Sequence, residues 1–276
     1  MCNGHVSDLL RLQGGLAGVT FHSYPGRAGV NLSSLVTSVA WLRDNITLFD
    51  AHAHAEVCVG EYNDVREAGA TRQSLWLTET NSAYRGVDGV MNTFANGYFY
   101  TASMGQYAVT NVSLHSRWSL FGHDGESPFG LIAADSGAVV PDYFLAVLHK
   151  RVVGSGVLGV AVPLDAPLLV YAHCAAGPDV KAGCGAVTLM YSNPSPEKVT
   201  LELEWVKDVT DRVEYVVTAP YLESPVSYLN GRPLVMGRGG QLPDMTGARG
   251  DGPLVVPATS HGFVVLRNAG VVVCNA

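Results

Sequence analysis

Lysine is missing from the first half of this 276-residue chain: none occurs before Lys150. Across residues 1–149, seven Arg stand against thirteen Asp and Glu, and the whole chain carries a formal charge of −7. A nucleic-acid partner is therefore excluded, because phosphates need more cations than this, and any polyanion would have to be held by a few placed arginines. Long apolar runs are missing too. The stretches around Val152–Val162 and Leu168–Ala172 are broken by Gly, Pro and Asp, well short of the ~20 residues that span a bilayer. Met1 to Leu10 has no basic segment followed by an apolar one, so no leader peptide is legible. Charged residues make up only 15% of the chain and hydrophobic ones 47%, which excludes intrinsic disorder and supplies a sizeable core.

What is present points to two differently built halves. Gly18-Val-Thr-Phe-His22 reads as a short strand ending at a Pro25-Gly26 turn. Leu32, Leu35, Val36, Val39 and Leu42 recur at helical spacing, Ser74–Thr78 forms a second strand, and Val90, Met91, Phe94, Ala95 and Tyr98 suggest another helix. A third strand lies within Val109–Phe121. Pro141-Asp142 opens a helix that closes on His149, Lys150 and Arg151, and Gly154 stops it. Such alternation predicts parallel βα units. From about Val157 onward the helical period disappears. Short runs such as Leu168–His173, Ala186–Tyr191, Val199–Trp205, Val213–Thr218, Phe263–Leu266 and Val271–Cys274 alternate with Gly, Pro and Asn clusters, which predicts an antiparallel sandwich. The boundary falls near Gly154–Gly156, giving units 1–154 and 155–276.

Chemistry concentrates at the strand ends. The segment Trp76-Leu-Thr-Glu79-Thr-Asn-Ser82 puts a carboxylate just after an apolar strand, where βα barrels keep their reacting groups. A glycosidase needs a rigidly held carboxylate there, to attack an anomeric carbon or activate water. A helix cap or a surface Glu would look the same. Tyr24, just past the first strand, is placed to donate to that carboxylate and keep it ionised and oriented, and His22 to contact a sugar; both also fit ordinary strand-end structure.

Together these residues resemble heparanase and its relatives in glycoside hydrolase family 79. The resemblance rests on Gly18-Val-Thr-Phe-His-Ser-Tyr24 and Leu75-Trp-Leu-Thr-Glu-Thr-Asn-Ser-Ala-Tyr84. It continues through Thr93–Gly97, Arg117-Trp-Ser-Leu-Phe-Gly122, Pro141–Phe144 and Phe263–Ala269, and diverges between Asn45 and Arg72. It implies a retaining β-glucuronidase with Glu79 as nucleophile and no metal or organic cofactor. His22, Tyr84, Gly86 and Arg117 would be sugar-facing residues, and Cys174 and Cys274 a disulfide. Arg85, Trp118 and Pro128-Phe129 depart from the family pattern. The substrate implied is a glucuronate-containing polysaccharide or proteoglycan glycan. Because the first half is acidic and free of Lys, a weakly sulfated or unsulfated glucuronide fits it better than heavily sulfated heparan.

The largest departure is an absence. The family's acid/base sits in an Asn-Glu pair on an earlier strand, and this chain has no Asn-Glu dipeptide. A (β/α)₈ barrel takes ~250 residues, whereas about 150 precede the sandwich. The expected architecture is the carboxyl-terminal part of a barrel, roughly three of eight strands, followed by an antiparallel β-sandwich. Missing upstream sequence or a separately made amino-terminal half would then be a partner. Glu56, Glu61 or Glu67 are the only nominees for a substitute acid. The alternative is a non-catalytic carbohydrate-binding or interaction protein derived from the same family. Sequons at Asn31, Asn45 and Asn111, with five cysteines, suggest a glycosylated chain that is secreted, extracellular or lysosomal, with membrane association open.

Three other motifs carry less. Asp50-Ala-His-Ala-His54 resembles a metal-binding His-x-His, but no later strand supplies further ligands. Gly154-Ser-Gly-Val-Leu-Gly159 satisfies a dinucleotide glycine pattern without the required helix. Arg249-Gly-Asp251 is a tripeptide that loop chemistry explains.

Overall fold

The computed structural model describes residues 18–24, 36–45, 74–83, 86–110, 112–122, 129–134, 136–204, 206 and 209–275, with backbone alone for 18–23, 44–45 and 74–75. The sequons' Asn31 and Asn111, the Asn45 side chain, Tyr84, the Asp50–His54 motif and Glu56, Glu61 and Glu67 lie outside the described residues or atoms.

The first half holds strands β1 (Gly18–Ser23), β2 (Ser74–Thr80) and β3 (Val112–Arg117) with helices α1 (Val39–Asn45), α2 (Asn96–Val109) and α3 (Pro141–Val152). The strands pair in the order β1-β2-β3, parallel throughout. Parallel strands put all their carboxyl ends on one edge, so Tyr24, Glu79 and Arg117, far apart in sequence, meet there. α3 begins on Pro141, has Asp142 in its first turn and His149, Lys150 and Arg151 in its last, as the macrodipole favours. It runs straight into a strand at Val153, so Gly154 does not end it. α2 also differs from expectation: it starts at Asn96, and residues 88–95 form turns. The amides of Phe94 and Ala95 are bonded to the carbonyls of Ser224 and Leu222. Donors engaged that far away in sequence are not governed by the local helical period.

The second half is dominated by antiparallel pairing. Strands β4 (Val153–Leu158), β5 (Leu169–Ala175), β6 (Val187–Asn193), β7 (Val199–Thr200), β8 (Arg212–Thr218), β9 (Tyr228–Leu229), β10 (Arg232–Pro233), β11 (Ala248–Gly250), β12 (Val255–Val256) and β13 (Ser260–Leu266) follow in order. Eight of them make one sheet, β10-β9-β8-β13-β6-β5-β4 with β11 beside β8; β7 and β12 form a separate two-stranded ribbon. Among the described residues of Val199–Trp205 only Val199–Thr200 form a strand, and within Val271–Cys274 residues Val272–Cys274 form a 3₁₀ turn rather than a strand. That turn still carries Cys274 to Cys174 on β5, and the two are joined by a disulfide with their Cα atoms 5.1 Å apart. The glycine-rich 154–159 segment enters β4, not a phosphate loop before a helix.

Period-two alternation decides the packing. Met190, Val213, Tyr215, Val217, Phe263 and Val265 face α2 and α3 in one core, while Val187, Leu189, Tyr191, Val264 and Leu266 face the other side, against Leu168, Leu254 and Val256. The core of the first half therefore continues across the expected boundary at 154. Two glycines make this approach possible: a Cβ at Gly97 would lie 2.3 Å from the His261 ring, and one at Gly105 2.2 Å from Tyr171.

Candidate active site

Glu79 is the sixth residue of β2, and its position depends on an irregularity. Phe21 pairs with Leu77 but His22 pairs with Glu79, so Thr78 is an extra residue on β2. Leu77 is fully buried. Simple alternation would send Glu79 the same way, into the apolar layer; a bulge re-aims the side chain that follows it. Glu79 instead meets Tyr24, whose hydroxyl donates to Glu79 Oε1 at 2.6 Å. A hydrogen bond of this kind to a carboxylate favours its charged form and restricts its orientation. The Tyr24 ring is in turn held edge-on to Phe129, with centroids 6.3 Å apart.

Behind this pair lies a buried polar network. The Asn81 side chain donates to the Trp118 carbonyl at 2.8 Å and accepts from the Ser82 amide at 2.8 Å. Ser82 Oγ donates to Asn96 Oδ1 at 2.5 Å, and the Asn96 amide nitrogen donates to Asp142 Oδ2 at 2.7 Å. Asp142 closes the chain on Arg117, with Nη2 to Oδ2 at 3.1 Å. The segment just after β2, both later helices and the end of β3 are thus fastened together. Burial pushes the Asp142 carboxyl above the usual carboxylate range, and Arg117 and Asn96 oppose that shift.

Arg117 does not hold the sugar-facing place expected of it. Its side chain is 3% exposed. Nη1 donates to the Phe129 carbonyl at 2.5 Å, Nη2 to that of Met91 at 3.3 Å, and the guanidinium lies 5.7 Å from the Tyr100 ring centroid. Its partners are all internal, so it is a strut. Gly86 occupies a left-handed turn with φ of 72°, which suits glycine. For His22 the structure gives only the backbone register opposite Glu79.

A cavity of about 510 Å³ lies away from this pair, lined in part by His115, His149 and His173. Burial lowers the first two to about 3 and about 4, so they are neutral imidazoles near pH 7. Among the described residues no cluster of His, Cys, Asp or Glu could hold a metal ion, and no helix is long and apolar enough to cross a membrane.

Residue patterns in the sequence pointed to Tyr24 and Glu79 but not to Asn81, Ser82, Asn96 or Asp142 as a unit. The signal was there: Asn96 and Asp142 sit inside the motifs that carry the family resemblance. Only the fold reveals that those motifs are the scaffold under the carboxylate.

No protein-family model matches the chain. Heparanase from Gallus gallus is 32% identical over 98% of this chain and 51% of its own length. Baicalin-β-D-glucuronidase of Scutellaria baicalensis is 28% identical over 72% of the chain and 37% of its own. The chain belongs to the heparanase-like proteins, glycoside hydrolase family 79. Human inactive heparanase-2 is a relative as well, 28% identical over 74% of the chain and 36% of its own length. The heparanase-like chain described here therefore spans about half the length, or less, of these relatives. Among solved structures, a 4-O-α-L-rhamnosyl-β-D-glucuronidase from Fusarium oxysporum superposes with a TM-score of 0.61 at 16% identity, covering 94% of this chain and 56% of that one. It and the other structural neighbours are glycoside hydrolases with TIM-barrel folds.

Proposed function

We propose that this chain carries the nucleophile half of a retaining β-glucuronidase acting on glucuronate-containing glycans. Glu79 is the nucleophile and Tyr24 its orienting donor, with His22, Tyr84 and Gly86 beside the sugar. Residues 1–154 supply the last strands of a (β/α)₈ barrel and residues 155–276 a sandwich-type domain packed on it. The observation that carries this reading is the 2.6 Å bond from Tyr24 to Glu79 at the carboxyl edge of parallel strands. Retaining hydrolysis needs a second carboxyl group ~5–5.5 Å away to protonate the leaving oxygen. That group comes from the remainder of the barrel, supplied upstream or as a separate amino-terminal half. A glycosylated, secreted or lysosomal chain fits the sequons and the disulfide.

The nucleophile can be tested without its companion. A 2,4-dinitrophenyl β-glucuronide has a leaving group that departs as phenolate and needs no protonation. A Glu79 oxygen then bonds to the anomeric carbon while the bond to the phenol oxygen breaks with its electron pair. Intact-mass spectrometry should show one glucuronyl adduct, absent in Glu79→Gln, with no sustained turnover of unactivated aryl glucuronides. No adduct, or an adduct that survives E79Q, overturns the reading. The inactive relative favours a second reading, a glycan-binding protein without turnover. On that reading glucuronides bind with equal affinity to wild type and E79Q, and no adduct forms.

A further inference from the structure

We infer that Phe129, held by the buried Arg117, is a positioning residue for the nucleophile: its ring fixes the angle at which Tyr24 grips Glu79. This rests on the glucuronidase reading and adds to it the residues that keep the reacting carboxylate aligned. Tyr24 stands one residue past the end of β1, and its hydroxyl lies at the far end of its ring. A small turn about Cα–Cβ would carry that oxygen out of the narrow range in which an O–H···O⁻ bond is strong. The Phe129 ring meets the Tyr24 ring edge-on, with centroids 6.3 Å apart and planes at 80°. In that geometry the positive edge of one ring points at the negative face of the other, and the contact restricts the turn.

Phe129 is itself fixed from within. It is 6% exposed and belongs to the core. Its carbonyl accepts two N–H groups, from the Ser119 amide at 3.1 Å and from Arg117 Nη1 at 2.5 Å. Arg117 in turn is anchored on Asp142 Oδ2 through Nε and Nη2, each at 3.1 Å. The guanidinium fork thus bridges a helix carboxylate and the Phe129 main chain, which a single ammonium could not do.

The same strand end also holds the acceptor. Trp118, the next residue, donates its amide to the Thr80 carbonyl at 2.9 Å and accepts from the Asn81 side chain at 2.8 Å. Thr80 and Asn81 are the two residues after Glu79. Arg117 therefore sets the donor through Phe129, and its neighbour sets the carboxylate. Both arms of the Tyr24–Glu79 bond start from two consecutive residues, and every contact along them is internal.

The test times adduct formation from 2,4-dinitrophenyl β-glucuronide by the full chain, over a range of substrate concentrations. Phe129→Leu keeps both backbone bonds and the apolar filling but loses the ring edge. It should lower the limiting rate about tenfold or more and leave the half-saturating concentration within about twofold, since misalignment costs rate rather than binding. Phe129→Tyr, which keeps the ring, should restore the rate. In a Tyr24→Phe background Phe129→Leu should cost nothing further, because a residue that acts through a hydroxyl has no effect once the hydroxyl is gone. Arg117→Lys keeps a cation beside Asp142 but not the fork to Phe129; it should slow the rate in the same way, and it carries the test if F129L fails to fold. An unchanged rate in these variants, or losses that multiply with that of Tyr24→Phe, overturns the positioning role while the Glu79-dependent adduct keeps the nucleophile reading intact. A wild type that forms no adduct overturns both.

Discussion

The two halves hold themselves together by different means. The antiparallel half relies on apolar alternation: β6 and β13 are buried along their whole length, with one core on each face. The parallel half has only three described strands in its sheet, and β3 leaves Leu114 43% exposed. Beneath its functional edge it uses a polar chain from Asn81 to Arg117 instead. Apolar packing tolerates sliding and substitution of similar volumes, whereas a hydrogen-bonded network permits one geometry. The half that carries Glu79 is the half built from the network.

The sharpest way to break this contrast is Arg117→Met. It leaves Asp142 buried without its cation and should cost about 3–5 kcal/mol. Urea unfolding measures the loss, and amide exchange should rise first around residues 80–82 and 118, before the strands of the eight-stranded sheet. Equal loosening of both halves would mean that the shared core, not the network, governs the parallel part. On the other side, Cys274→Ser removes a link that closes a separation of 100 residues and should cost about 2–4 kcal/mol. Its exchange signature should be confined to β4, β5 and the carboxyl-terminal turn, leaving the Tyr24–Glu79 edge protected.

Acidification probes the seam between the halves. Buried His115, His149 and His261 are held at about 3, about 4 and about 3, below the ~6.5 of an unfolded imidazole. Between these values the unfolded chain binds more protons than the folded one. Stability should therefore be full above pH ~6.5 and fall as pH drops towards 4, on the order of 1–2 kcal/mol per histidine by pH 5. Chemical denaturation at pH 7 and pH 5 gives the difference, and His149→Gln should flatten the slope.

Much of the fold was legible because it is written in local patterns. Pro141 and Asp142 at one end and His149–Arg151 at the other mark α3 through capping and dipole chemistry alone. Short apolar runs at 186–191 and 263–266, set between Gly, Pro and Asn clusters, mark β6 and β13. The errors came where partners are distant. The start of α2 is set by carbonyls of Leu222 and Ser224, and the last three residues of the Val271–Cys274 run form a 3₁₀ turn instead of a strand. Arg117 was expected to face the sugar from the family resemblance alone; its buried pairing with Asp142, 25 residues later, is a tertiary contact.

By itself the sequence determined the residue types at the strand ends, the family and the sign of the charge around the site, because each is a property of composition or of a contiguous motif. Tertiary structure alone decided that Thr78 is the extra residue that turns Glu79 towards Tyr24, and that Arg117 supports the site from within. Side-chain direction on a strand follows from its register with its neighbours, and register is set by hydrogen bonds between segments the chain brings together only on folding.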